Sequence, residues 1–160
     1  MVVCHPSKVE VRVRFSYPAQ RKNFEFGKTK IISFMDLGEL AEDEASKYLL
    51  KNHYKILERN FRTKFGELDI VCQKEKTIIV VEVKALNNNS DFTPEQHFTK
   101  EKLNKIIRTF NYFLKIKDFK YQDLRIDLIT LEFLDDSLKE IRHYQNLEIW
   151  KNKPFVLLFN

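Results

Sequence analysis

The sequence predicts an α/β fold: a mixed central sheet flanked by helices. Three observations lead there. Apolar residues between Leu37 and Leu49 recur at helical spacing. Three short strand-like runs follow, joined by connections too short for anything but antiparallel pairing. A second helical stretch then separates them from another apolar strand, which must cross over to join the sheet. The order is helix, three-strand antiparallel meander, helix, strand.

Taken in turn, residues 9–17 alternate Val9, Val11, Val13, Phe15 and Tyr17 with Glu10, Arg12, Arg14 and Ser16, an amphipathic strand pattern. Pro18 and the basic stretch Arg21 to Lys30 read as a loop or linker. Residues 1–34 are therefore expected to form an N-terminal appendage or an upstream extension, with the main domain at 35–160. From Asp36, the positions Leu37, Leu40, Ala41, Ala45, Tyr48 and Leu49 form one helical face, which should stop near Asn52-His53. Tyr54 to Phe61 reads as a strand running into the basic loop Arg62-Thr63-Lys64-Phe65-Gly66. Leu68 to Gln73 and Thr77 to Ala85 are the next two strands, with a tight turn at Lys74-Glu75-Lys76. After the polar loop Asn87 to Asp91, Thr93-Pro94-Glu95-Gln96 has the form of a helix start: N-cap, first-position proline and capping box. Leu103, Ile106, Ile107, Phe110 and Leu114 mark the buried stripe of the long helix. Leu124 to Phe133 is a further strand, and Glu140 to Trp150 a final one.

Composition narrows the function classes. A chain of 160 residues with 43% hydrophobic content can build one core. Its 28 Lys and Arg against 23 Asp and Glu give a net charge of +5, which permits a polyanionic partner. No run approaches the roughly 20 apolar residues of a membrane span, and no signal-peptide pattern opens the chain. Cys4 and Cys72 lack metal-binding spacing, so a reduced, cytoplasmic setting is expected.

Chemistry concentrates in Thr77-Ile-Ile-Val-Val-Glu-Val-Lys84. The apolar run fits a strand covered on both faces, and Glu82 and Lys84 interrupt it on one face, about 7 Å apart. A two-residue turn at Glu75-Lys76 would set Asp69 across from Glu82 and Glu67 across from Lys84, with Cβ atoms about 5 Å apart. Two carboxylates so close repel unless a cation lies between them or one takes a proton. A hard divalent ion such as Mg²⁺ suits them, and Lys84 could orient or deprotonate an attacking water. An isolated Glu-x-Lys is more often an exposed strand-end pair. Asp69 at hairpin distance is what favours the functional reading.

Four segments together, Gly38-x-x-Ala41-Glu42-x-x-Ala45, Arg59-Asn60-x-Arg62, Gly66-Glu67-Leu68-Asp69-Ile70-Val71 and Val81-Glu82-Val83-Lys84, resemble the YraN-like family. That family is grouped by fold with endonucleases of the restriction-endonuclease-like, PD-(D/E)xK type and is similar to archaeal Holliday-junction resolvases. The resemblance continues through Pro94, Lys102 and Arg125-Ile126-Asp127, covering roughly residues 37–146. It implies a restriction-endonuclease-like core, with Asp69, Glu82 and the Val83 carbonyl holding Mg²⁺ or Mn²⁺. It further implies Lys84 as the catalytic lysine and Glu42 as a fourth member of the acidic site. The family often carries Arg two residues after that lysine; this chain has Leu86.

Arg59, Arg62 and Lys64, with Lys102 and Lys105 on the long helix, are the candidate nucleic-acid contacts. A solvated basic loop and helix face are the plainer alternatives. Lys100 and Arg108 extend the same polar side. Asp127 reads as structural, paired with Arg125 or a lysine, and His5, His53, His97 and His143 are scattered. The leading expectation is a Mg²⁺- or Mn²⁺-dependent endonuclease acting on branched or damaged DNA, with DNA favoured over RNA, no membrane partner, and a homodimer if junctions are cut. The alternatives are a non-catalytic nucleic-acid-binding module of the same fold and a protein-interaction adaptor.

Overall fold

The structure is a computed structural model and describes residues 9–14, 34–87, 99–134 and 137–147. Six strands, β1 (Val9–Arg14), β2 (Lys55–Thr63), β3 (Gly66–Lys74), β4 (Thr77–Asn87), β5 (Asp123–Leu134) and β6 (Ser137–Gln145), form one sheet in the order β1-β6-β5-β4-β3-β2. Two helices pack on it, α1 (Phe34–Lys51) and α2 (Lys100–Lys117). The meander β2-β3-β4 is antiparallel, β5 joins β4 in parallel, and β6 and β1 add antiparallel. A parallel neighbour needs a long crossover; residues 88–122, which contain α2, supply it. The α/β order expected from periodicity is thus the order observed.

Each face of the sheet has its own core. On one side Ala41, Ala45, Tyr48 and Leu49 of α1 pack over Ile70, Cys72, Ile79, Val81, Ile129 and Leu131. On the other Leu103, Ile106, Phe110, Phe113 and Leu114 of α2 cover Val71, Ile78, Val80, Ile126 and Leu128. The central strands are apolar on both faces because both are covered. Truncating a buried phenylalanine such as Phe110 would cost about 3–5 kcal/mol.

The boundaries have local causes. Leu50, Lys51, Asn52 and His53 close α1, with the Asn52 side-chain amide on the Tyr48 carbonyl at 2.8 Å and His53 at φ 64°. The hairpin between β3 and β4 turns on Glu75 and Lys76 alone, flanked by the pair Lys74 and Thr77. Glu75 takes φ 54°, and the Gln73 amide donates to its carbonyl at 2.9 Å.

The long helix begins at Lys100, where the Thr99 hydroxyl accepts the Lys102 amide at 3.2 Å. The helix start expected at Thr93-Pro94-Glu95-Gln96 lies outside the described residues, as do residues 15–17, the whole of the expected linker, His5, His97 and Trp150. The final strand opens at Ser137 rather than Glu140. It also ends at Gln145 rather than Trp150; a single apolar residue, Leu138, is too little for a periodic signal, and pairing with Leu134 and Phe133 sets the start. Among the described residues, no helix is long and apolar enough to cross a membrane.

Candidate active site

The antiparallel ladder between β3 and β4 runs in register from Lys74–Thr77 to Ile70–Val81. One residue further, Asp69 uses its side chain where a backbone carbonyl would ordinarily serve: its Oδ2 accepts the Val83 amide at 2.8 Å. Glu82 projects from β4 on the face covered by α2, as its alternation with Ile78 and Val80 requires. The acidic pair therefore sits where the regular hairpin gives out, against the first turn of α2.

These carboxylates line a cleft of about 410 Å³, together with Arg62, Thr63, Gly66, Glu67, Lys102, Lys105 and Ile106. Lys102, placed one turn into α2 by the Thr99 cap, forms an ion pair with Glu82, whose side chain is only 13% exposed. A carboxylate is also favoured at a helix N-terminus by the backbone dipole. Arg62 reaches Glu67 at 3.4 Å on the exposed rim.

The Asp69 carboxyl is raised to about 7 from an ordinary value of 3.8. Burial is the main cause, Glu82 the next, and Glu42 adds to it; the Val83 amide and the Lys102 ammonium pull the other way. Negative charge here is under-compensated, and an added cation would relieve it.

Of the residues the sequence nominates, Asp69, Glu82, Arg62, Lys102 and Lys105 meet in this cleft. Val83 contributes its amide to Asp69. Glu42 lies near enough for Asp69 to feel its charge, but its own carboxylate takes the Asn60 side-chain amide at 2.7 Å. Lys84 shares the Glu82 face by alternation and is exposed, outside the cleft lining. Arg59 turns to the α1 side, where it pairs with Asp43 at 2.6 Å. Lys64 sits at the tip of the β2–β3 turn over the Phe65 ring.

Among the described residues, no three His, Cys, Asp or Glu side chains converge closely enough to hold a metal by themselves. Two carboxylates do suffice for Mg²⁺, which keeps several waters and takes substrate phosphate oxygens as further ligands. These two carboxylates are hard oxygen donors of the kind Mg²⁺ takes, so the donor set fits.

Two groups take roles that the sequence reading did not assign. Asn60, named there only as part of the Arg59-Asn60-x-Arg62 segment, takes φ 52° and ties β2 to α1 through Glu42. His143 is fully buried, with Nε2 on Asp127 Oδ2 at 2.9 Å. Its position in β6 gave no hint, because the contact spans two strands.

The domain is thus of the α/β class, a mixed sheet with a helix on each face, carrying an acidic pair in a cleft lined by charges of both signs. The chain belongs to a family described as "Uncharacterised protein family UPF0102", whose profile it matches over residues 41–131. Relatives described as UPF0102 proteins include one from Persephonella marina, 39% identical over 94 residues, or 59% of this chain and 81% of the relative. One from Kosmotoga olearia is 42% identical, covering 71% and 93% of the two chains. One from Tropheryma whipplei (strain Twist) is 40% identical, covering 72% and 96%. The family expected from the motifs is the family found.

Proposed function

We propose that this protein is a metal-dependent endonuclease of the restriction-endonuclease-like fold, hydrolysing phosphodiester bonds in DNA, with residues 35–160 as the nuclease domain. The observation that carries this reading is the partly buried Asp69–Glu82 pair, under-compensated in charge, in a cleft whose other charged residues are Arg62, Glu67, Lys102 and Lys105.

Asp69 and Glu82 would hold Mg²⁺ or Mn²⁺, with the Val83 carbonyl as a third oxygen, and that ion would offset the charge that builds on the phosphate as water attacks. The protein's own groups do the rest. Lys102 and Lys105 meet phosphate oxygens along α2, and Arg62 does so from the β2 rim. Lys84, two residues beyond Glu82, orients the water or takes its proton. Glu42 holds Asn60 and adds to the negative field at Asp69. DNA cleavage screened across divalent metals and substrate forms tests the reading. Asp69→Ala and Glu82→Ala should each abolish Mn²⁺-dependent cleavage while preserving the fold, and undiminished activity in both would sink it.

Two observations favour a second reading, a nucleic-acid-binding module without chemistry. Lys102 already neutralises Glu82, and Leu86 replaces the arginine common in the family. That reading requires salt-sensitive DNA binding with no turnover under any metal.

A further inference from the structure

The turn joining β2 to β3 carries Lys64 and Phe65 at its tip, between the paired residues Thr63 and Gly66. Tips of two-residue turns ordinarily hold Gly, Asn or Asp; an aromatic ring there needs a reason. Phe65 is 38% exposed, so the core is not that reason. Its ring lies 6.0 Å from that of Tyr112, inclined at 62°, and Tyr112 is 44% exposed on the outer side of α2. The two rings make a paired aromatic surface rather than scattered apolar residues.

The turn is held against the helix. The Thr63 hydroxyl accepts the Phe65 amide at 3.0 Å and donates to the Gly66 carbonyl at 3.2 Å. Gly66 adopts φ +148°, and a Cβ there would stand 3.3 Å from Thr109 Oγ1 and 3.5 Å from Lys105 Cβ. Glycine thus lets the turn approach α2 closely enough for Phe65 to reach Tyr112.

Charge and position identify the occupant. Thr63, Gly66 and Lys105, which fix the turn, also line the cleft that contains Asp69 and Glu82. Lys64 Nζ stands 5.3 Å from the Phe65 ring centre. Lys105, Arg108 and Tyr112 follow one another along the exposed side of α2 at helical spacing. Aromatic rings interleaved with cations beside a phosphate-binding cleft suit a single-stranded nucleotide, whose base stacks while its phosphates meet the lysines. A base paired inside a duplex does not present its face.

We propose that Phe65 and Tyr112 form a stacking platform for an unpaired nucleobase flanking the phosphate held in the Asp69–Glu82 cleft. The substrate class is then nucleic acid with an unpaired segment next to the cleavage point. This rests on the nuclease reading for the role of the cleft, but not for the stacking itself.

The test is fluorescence anisotropy in EDTA, with the full chain and three probes: a short oligothymidylate, the same strand made abasic, and a blunt duplex. Wild type should bind the base-bearing strand about tenfold more tightly than the abasic one. Phe65→Ser and Tyr112→Ser should each erase that difference and leave abasic binding unchanged, with the fold retained by circular dichroism and melting lowered by a few degrees at most, since the rings touch each other. Equal binding of both strands by wild type, or a difference that survives both substitutions, would overturn the platform. So would a concentration-dependent dimer abolished by Phe65→Ser, since the rings would then face a second copy. Discrimination that persists while no metal supports cleavage would remove the nuclease reading and leave the platform. Cleavage without base discrimination would do the reverse.

Discussion

Two aspartates lie inward on opposite faces of the same sheet and are treated in opposite ways. Asp127, fully buried on the α1 face, accepts from Arg125 Nε and Nη2 at 2.9 Å each, from His143 Nε2 at 2.9 Å, and from the Asn146 amide at 2.9 Å. Arg125 in turn reaches the Tyr54 hydroxyl at 3.3 Å, and the rings of Tyr48 and Tyr54 flank His143. Asp127 being an acceptor, His143 carries its proton on Nε2. Asp69, on the α2 face, has one backbone amide, a second carboxylate nearby and a shared lysine. A satisfied buried charge fixes a structure; an unsatisfied one invites a ligand.

The contrast can be broken at its strong end first. Asp127→Ala strands Arg125 and removes four hydrogen bonds, and should cost about 3–5 kcal/mol in urea denaturation, whatever the metal content. Asp69→Asn should act in the opposite direction. The folded protein holds the Asp69 proton up to about 7, against 3.8 ordinarily, so it binds more protons than the unfolded chain between those values. Stability from this group is therefore full below about pH 4 and lost as pH rises through about 7. The asparagine variant should melt a few degrees higher than wild type at about pH 8 and nearly level with it at about pH 4.

Lys102→Met sharpens the same comparison. With the ammonium gone, the Asp69 carboxyl should move further up, and Mn²⁺ should bind several-fold more tightly. Carboxyl carbon titration by NMR reads the first, and electron paramagnetic resonance of free Mn²⁺ the second. The smallest effect belongs to Arg59→Ala. Its pair with Asp43 is partly solvated and should be worth under about 1 kcal/mol in a double-mutant cycle.

What the sequence disclosed follows the range of the forces involved. Helical stripes such as Leu103, Ile106 and Phe110 are local periodicities and fell where expected. So did the two-residue turn at Glu75-Lys76, although the ladder stops at Ile70–Val81, short of the Asp69–Glu82 and Glu67–Lys84 pairs expected from it; Asp69 and Glu82 meet instead as linings of one cleft. Lys102 could be placed on a polar helix face, but not on Glu82, because that contact depends on how α2 crosses the sheet. Arg59 illustrates the same limit. Asn60 at positive φ interrupts the alternation of β2, so side-chain parity counted from the sequence does not say which face Arg59 takes. The tie between Asp127 and His143 joins residues 16 apart across neighbouring strands, beyond any local pattern.

Strand β2 closes the sheet, and its outer rim of peptide groups could in principle recruit a strand from another molecule. The strand is poorly suited to that. Its register slips between Ile56 and Glu58, and Asn60 turns left-handed four residues after that slip begins. Lys55, Glu58, Arg59 and Arg62 put charge along nearly its whole length. Straightening it, for example by deleting Leu57 and replacing Asn60 with valine, would create a flat docking edge, and fibril formation under mild heating is the outcome to expect. The irregularities of β2 thus make its rim a poor template for another strand.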